Sequence, residues 1–230
     1  MWGKLLAATA KARRENLGPR SQRRVREILD TARTAFSERG YEGVTTLDIA
    51  QTMGVSEATV FTYFDSKRDL CIEVIRAWYR QITSEIEQEL PLVNGTRERL
   101  HFAVEKHLGN LLHETRGLCA LILIEGRGFD RDFSDIITEL KRRYIGPLLD
   151  VLVDGRMRGE LRSDLPIKLM RDMIYGSMEH VLWDRIANGK APDLHQTSAH
   201  LTDMLWNAFA APNAKPLAAP AAPTPRAASA

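Results

Sequence analysis

An all-α protein in two parts is what the sequence predicts: an N-terminal three-helix, helix-turn-helix domain followed by a larger helical domain. Three observations lead there. Apolar residues recur every three or four positions through most of the chain, and nowhere does the alternation of a half-buried strand appear. Residues 45–64, TTLDIAQTMGVSEATVFTYF, read as two short helices around a glycine corner. The last two helical segments carry more apolar surface than a single core-facing stripe requires. The expected divisions are a disordered basic arm at 1–20, the head at 21–66, the body at 67–211 and a disordered Ala/Pro-rich tail at 212–230.

Gly18-Pro19 is expected to break any helix ahead of Ser21. The first helix, Ser21–Arg39, then turns Val25, Ile28, Leu29, Ala32, Ala35 and Phe36 inward. Thr45 is an N-cap residue, and Asp48 three places on can close a capping box with it. Ile49, Ala50 and Met53 follow at helical spacing, and Gly54 supplies the backbone freedom that ends this helix. Val55 pins the corner, and Ser56 caps the next helix with Glu57 in its first turn. Val60 and Phe64 bury that helix, leaving Glu57, Thr59, Thr62 and Tyr63 outside. Its length of about 10 Å suits a major groove about 12 Å wide.

Ser66 caps a long helix running to about Leu90, stopped by Pro91 and Asn94-Gly95. Its continuous apolar face, Leu70, Val74, Ile75, Trp78 and Ile82, links head to body. The body continues with Thr96–His113, amphipathic through Leu100, Val104, Leu108 and Leu111-Leu112. Leu118–Glu125 reads as a buried helix ended by Gly126-Arg127-Gly128. A helix from Asp130 to about Gly155 carries Phe133, Ile136, Ile137, Leu140 and Tyr144, and is expected to bend or break at Gly146-Pro147. Pro166 starts a helix that ends near Asn188-Gly189, and a last helix spans about Leu194 to Ala210.

The composition, 44% hydrophobic and 27% charged, is that of a globular domain. No apolar run approaches the roughly 20 residues needed to span a bilayer, and Lys4, Lys11 and Arg13 interrupt any signal-like core. Cys71 and Cys119 form neither a CxxC nor a disulfide framework, which points to a reduced, bacterial-type cytosol. The total charge of +2 hides an asymmetry: residues 1–26 hold eight Lys and Arg against Glu15 alone, +7, leaving −5 for the rest. Such an arm is expected to follow a phosphate backbone.

The run from Arg23 to Leu70 resembles the DNA-binding domain of the TetR family of transcriptional regulators, through ILDTARTAFSERGYEGVTT, DIAQTMGVSEATVFTYF and DSKRDL. One departure is Thr46-Leu47, where the family places its apolar residue first. The resemblance implies that the second motif helix enters the major groove, with Ser56, Glu57, Thr59 and Thr62 near base edges. Thr45, Phe61, Tyr63 and Lys67 would then hold phosphates, Tyr63 standing where a histidine is common. Further along, LMRDMIYGSMEHVLW, the RGEL before it and ILIEGRG upstream resemble the branch of the family that controls fatty-acid metabolism and responds to acyl-CoA. This implies a repressor released from a palindromic operator by an apolar or amphipathic effector. An activator, a sensor of an aromatic or drug-like compound, and a helical protein–protein adaptor are the alternatives.

The last two helices are expected to form a homodimer interface from Met170, Met173, Ile174, Met178, Val181 and Leu182 with Leu201, Met204, Leu205 and Phe209. A ligand chamber is expected between them and the head. Its candidate lining is Trp78, Phe102, Leu108, Cys119, Ile122, Phe129, Phe133, Ile137, Tyr144, Tyr175 and Trp183, with His107 or His180 as polar handles. Arg127 and Arg131 are placed to meet an anionic head group such as a CoA phosphate. No enzyme, metal site or cofactor is expected. His101, His107 and His113 are spaced by six, which scatters them around a helix, and Asp130, Asp132 and Asp135 lack calcium-loop spacing. No GxSxG, P-loop or dinucleotide fingerprint is present.

Overall fold

A computed structural model describes residues 17–113 and 131–212 as eight α-helices and one short 3₁₀ turn, with no strand among the described residues. In chain order they are α1 (Pro19–Arg39), α2 (Thr46–Thr52), α3 (Glu57–Tyr63) and α4 (Lys67–Glu89), then the 3₁₀ turn Leu90–Leu92. The body adds α5 (Thr96–His113), α6 (Arg131–Met157), α7 (Ile167–Asn188) and α8 (Leu194–Phe209). The expected helix at Leu118–Glu125, nearly all of the basic arm and the tail beyond residue 212 lie outside the described residues.

The head is built on a small shared core. Ile28, Ala32 and Phe36 of α1 are fully buried at a spacing of four, and meet Val44, Ile49, Val60 and Phe64. Gly18-Pro19 stands at the head of this helix, which begins two residues before the expected Ser21. Pro19 lies in the first turn, where its missing amide is not needed and its fixed φ is already helical, and Gln22 N donates to Gly18 O at 3.0 Å. The capping box at α2 forms as expected. Thr45 Oγ1 accepts from Asp48 N at 3.1 Å, and Thr45 N donates to Asp48 Oδ2 at 2.8 Å. Gly54 turns the corner at φ +65°, and Val55 N reaches back to Ala50 O at 3.0 Å.

The long α4 is capped by Ser66, whose hydroxyl accepts from Asp69 N at 3.1 Å. It buries Leu70, Val74, Ile75, Trp78, Tyr79, Ile82 and Ile86 and therefore belongs to both cores. In the body, α8 lies along α5, α6 packs across α4 and α5, and α7 packs on α5, α6 and α8. Two backbone bonds, Arg162 N to Phe209 O and Ala211 N to Glu160 O, fasten the end of α8 to the α6–α7 connection. At Gly155, α6 passes close to Thr96 and Leu161; a Cβ there would stand 2.6 Å from Thr96 Cγ2. The interruption expected at Gly146-Pro147 is absent: α6 runs through Pro147 as one helix. Tyr144, Leu148, Val151 and Leu152 on either side are buried, and that packing outweighs one lost helical hydrogen bond.

The expected interface residues divide into two sets. Met170, Ile174, Met178 and Leu182 of α7, with Leu201, Leu205 and Phe209 of α8, are buried in the protomer's own core. Outward stand Leu169, Met173 and Met204, exposed by 48, 48 and 61%, with Val181 half-buried. Spacing explains the correction. A helix apolar on both sides, as α7 is, gives its inward row to the core and only its outward row to a partner.

Candidate nucleic-acid interface and internal cavity

The helix-turn-helix presents α3 outward through Ser56, Ala58, Phe61 and Thr62, all exposed, while Val60 anchors it below. The polar groups on this face are mostly committed to one another. Ser56 has no backbone capping bond; its hydroxyl pairs with that of Thr59 at 3.0 Å. Thr62 Oγ1 donates to Ala58 O at 3.0 Å, leaving its lone pairs outward-facing acceptors. Phe61, 44% exposed, is the large apolar group that this face shows to solvent.

Three of the expected contact residues also hold the head itself together. Glu57, expected at base edges, is half-buried and accepts from the buried hydroxyl of Thr46 at 2.5 Å, so it clamps α3 to the start of α2. The Thr46-Leu47 departure thus has a cause: the inward-facing Thr46 is the partner that Glu57 needs. Thr45, expected on a phosphate, spends its hydroxyl proton on Asp48 Oδ2 at 2.7 Å and its amide on the same carboxylate. Those donations, the hydroxyl's first, hold the Asp48 carboxyl below its usual range, with Arg39 adding to them. Lys67 Nζ donates to Tyr41 O at 3.0 Å, lies 4.1 Å from the centroid of the Tyr41 ring and 3.9 Å from Glu42. It latches α4 to the α1–α2 connection. Tyr63 is half-buried against the head core. Around it, Arg20, Arg23 and Arg24 from the first turns of α1 line a shallow recess beside α3. The sequence places Arg20 in the arm and Arg23 and Arg24 on the first helix, but does not show that all three stand beside Tyr63 of α3.

The second feature is a cavity of about 180 Å³ to which, among the described residues, four helices each give three lining residues. From α4 come Trp78, Tyr79 and Ile82, and from α5 His107, Asn110 and Leu111. From α6 come Lys141, Tyr144 and Ile145, and from α7 Tyr175, Glu179 and Leu182. Trp78, His107, Tyr144 and Tyr175 were expected here. Leu108, Phe133 and Ile137 belong to the surrounding core, and Phe102 and Trp183 are half-buried away from the lining. Leu108 and Trp183 each sit one residue past a lining position, about 100° around the helix. His180 is exposed, while Cys119, Ile122, Arg127 and Phe129 lie outside the described residues, as does the side chain of Arg131.

The cavity's polar chemistry is sparse. His107 Nδ1 and the Tyr144 hydroxyl share a hydrogen bond of 2.7 Å, and the His107 ring lies edge-on to Tyr175 at 5.0 Å. Burial, with the nearby Lys141 charge, pushes the His107 pKa down to about 3, so the imidazole is neutral. Burial likewise pushes the Tyr175 phenol up, against a smaller opposing effect of Arg171. Asn110 Nδ2 is buried and has no hydrogen-bond acceptor among the described residues. No group of three or more His, Cys, Asp or Glu placed to hold a metal ion occurs among them, and no helix of the described residues is long and apolar enough to cross a membrane.

A capped, glycine-cornered pair of short helices under a four-helix chamber defines a DNA-binding regulator of transcription, and the chain belongs to the TetR family. Residues 28–74 match the family model for bacterial regulatory proteins of the tetR family, and residues 76–208 match that for the C-terminal region of YsiA-like proteins. Among its relatives is the fatty acid metabolism regulator protein of Bacillus subtilis, 26% identical over 179 residues, or 78% of this chain and 92% of that one. The transcriptional repressor AcnR of Corynebacterium diphtheriae is 30% identical over 175 residues, covering 74% of this chain and 84% of that one. The crystal structure of Bacillus subtilis FadR in complex with stearoyl-CoA superposes with a TM-score of 0.71 at 25% identity, covering 78% of this chain and 96% of that one. These relatives are regulators, not enzymes.

Proposed function

We propose that this chain is a repressor that binds a two-fold-symmetric operator as a homodimer and is released when an acyl-CoA occupies the α4–α7 cavity. The observation that carries this is the position of α4. Trp78, Tyr79 and Ile82 wall the cavity, while Gln81 beside them accepts from Arg33 Nη1 of α1 at 3.1 Å. At its other end the same helix is latched to the head by Lys67. Moving α4 to admit a ligand therefore moves the support of α3. A ligand acts only through its different affinities for the two arrangements, a coupling of about 1–3 kcal/mol in typical cases.

The dimer is supported by the outward apolar row, Leu169 and Met173 on α7 and Met204 on α8, which a two-fold pairing would cover. Two copies of α3 would then address half-sites about 34 Å apart or a multiple of it. The outward Ser56, Phe61 and Thr62, with the half-buried Thr59 beside them, are the direct contacts, and Arg20, Arg23 and Arg24 follow the adjoining phosphates. The likeness to a regulator crystallised with stearoyl-CoA supports an acyl-CoA as the effector class.

The test is fluorescence anisotropy of a labelled duplex from the gene's own upstream region, titrated first with protein and then with CoA thioesters. Displacement by a thioester but not by free CoA is expected. Equal operator affinity with and without every thioester would sink the effector reading and leave the DNA-binding regulator intact.

A further inference from the structure

We infer that the group entering the cavity is an acyl unit of ring or short-chain size, its carbonyl oxygen accepting a hydrogen bond from Asn110 Nδ2. The inference rests on the proposal that this cavity is the effector site. Size comes first. A cavity of roughly 150 Å³ lined by aliphatic and aromatic side chains holds one benzene molecule. The chamber here, about 180 Å³, thus suits one ring or a chain of about six carbons. A stearoyl chain needs several times that volume.

The walls agree with an uncharged guest. Trp78, Ile82, Ile145 and Leu182 are apolar, and the two charged lining residues, Lys141 and Glu179, are of opposite sign. The one imidazole is already bonded to Tyr144. Of the remaining polar lining residues, Tyr79, Tyr175 and Asn110, only Asn110 has a buried polar atom, its amide nitrogen, without a hydrogen-bond acceptor among the described residues. Keeping such a donor buried and unpaired is costly, and an apolar residue of similar shape would remove the cost. A ligand carbonyl is the acceptor that explains its presence. A straight short acyl group and an aromatic acyl group share this chemistry.

The experiment measures displacement of the labelled operator by hexanoyl-CoA, phenylacetyl-CoA, stearoyl-CoA, the free hexanoic and phenylacetic acids, and CoA. Hexanoyl- or phenylacetyl-CoA should act at a concentration at least about tenfold below stearoyl-CoA, and which of the two is stronger separates chain from ring. Asn110→Leu should raise the apparent dissociation constant for that thioester by roughly tenfold, the scale of one buried hydrogen bond. Its thermal midpoint should equal or exceed that of the parent protein, because an unpaired donor has been removed. Asn110→Asp, which replaces the donor with an acceptor, should weaken binding at least as much.

Stearoyl-CoA acting as tightly as the short thioesters would overturn the size inference while leaving the acyl-CoA reading in place. Unchanged affinity in Asn110→Leu and Asn110→Asp would overturn the role of Asn110, and free acids as potent as their thioesters would overturn the recognition of a thioester carbonyl. Silence from every thioester would instead remove the effector reading on which the inference stands.

Discussion

The head and the body of this protein solve opposite problems. In the head, short helices are locked by a reciprocal pair, Thr45 with Asp48, and by single bonds from Thr46 to Glu57, Asp69 to Ser66 and Lys67 to Tyr41. Its core is small and its buried side chains meet directly. The body has longer helices and a larger core, yet leaves a chamber of about 180 Å³ at its centre with an unpaired amide on the wall. A surface that reads DNA must keep one shape, whereas a chamber that responds to a ligand must have more than one arrangement within reach.

If the head is the rigid part, its core should be intolerant. Phe36 is fully buried and meets Tyr41 at a ring separation of 5.8 Å. Phe36→Ala should cost about 3–5 kcal/mol, read from chemical unfolding, and abolish operator binding at ordinary temperatures. A loss below about 1 kcal/mol would show that the head repacks as easily as the body, and the comparison would fail.

The body's counterpart is a pH test of His107. Its folded pKa, about 3, lies far below the ordinary value of 6.5 because burial disfavours the imidazolium, with Lys141 adding to it. Between those values the unfolded chain binds a proton that the folded chain refuses. Stability should therefore fall as pH drops from about 6.5 toward 3, with a slope of up to about 1.4 kcal/mol per pH unit from this group. His107→Gln should flatten that slope. An unchanged slope would mean that the ring is reached by water and the cavity is not closed around it.

Within the head, Glu57 tells clamping from reading. Glu57→Ala leaves the Thr46 hydroxyl buried without its acceptor, and should cost about 1–3 kcal/mol. Glu57→Gln keeps an acceptor and should recover much of that loss. A base-reading role would do the reverse: stability would hold while the preferred operator sequence changed.

What could be read beforehand follows the range of each interaction. The Thr45–Asp48 box, the Gly54 corner and the Ser66 cap lie within a few residues, so the chain displays them directly. The break allowed for at Pro147 does not occur because proline's effect depends on its surroundings, and a well-buried helix carries it. Thr46 and Glu57 are eleven residues apart and meet only through the crossing of α2 and α3. The cavity demanded more, namely the rotation of four helices about their axes. Trp78, His107, Tyr144 and Tyr175 were found as large inward groups, but Asn110 is a polar residue on an otherwise ordinary helix face. Likewise α7 is apolar on two sides, and only packing tells Met170 from Met173.

The smallest effect on stability, and the one that isolates the reading face, belongs to Phe61. It is 44% exposed at the outer surface of α3, so Phe61→Ala should change unfolding free energy by no more than about 0.5 kcal/mol. Operator affinity should nevertheless fall, because an aromatic group held outward on the recognition helix loses water when DNA covers it. The salt dependence separates this contact from the neighbouring cations. Phe61 neutralises no phosphate and releases no counterion, so its replacement should lower log K equally at every salt concentration. Arg20→Ala, at the recess beside Tyr63, should instead reduce the slope of log K against log salt by about 0.9. A change of slope in Phe61→Ala would mean that the substitution had shifted how α3 seats in the groove and displaced charged contacts with it. The rigid head would then be rigid only while its outermost side chain is in place.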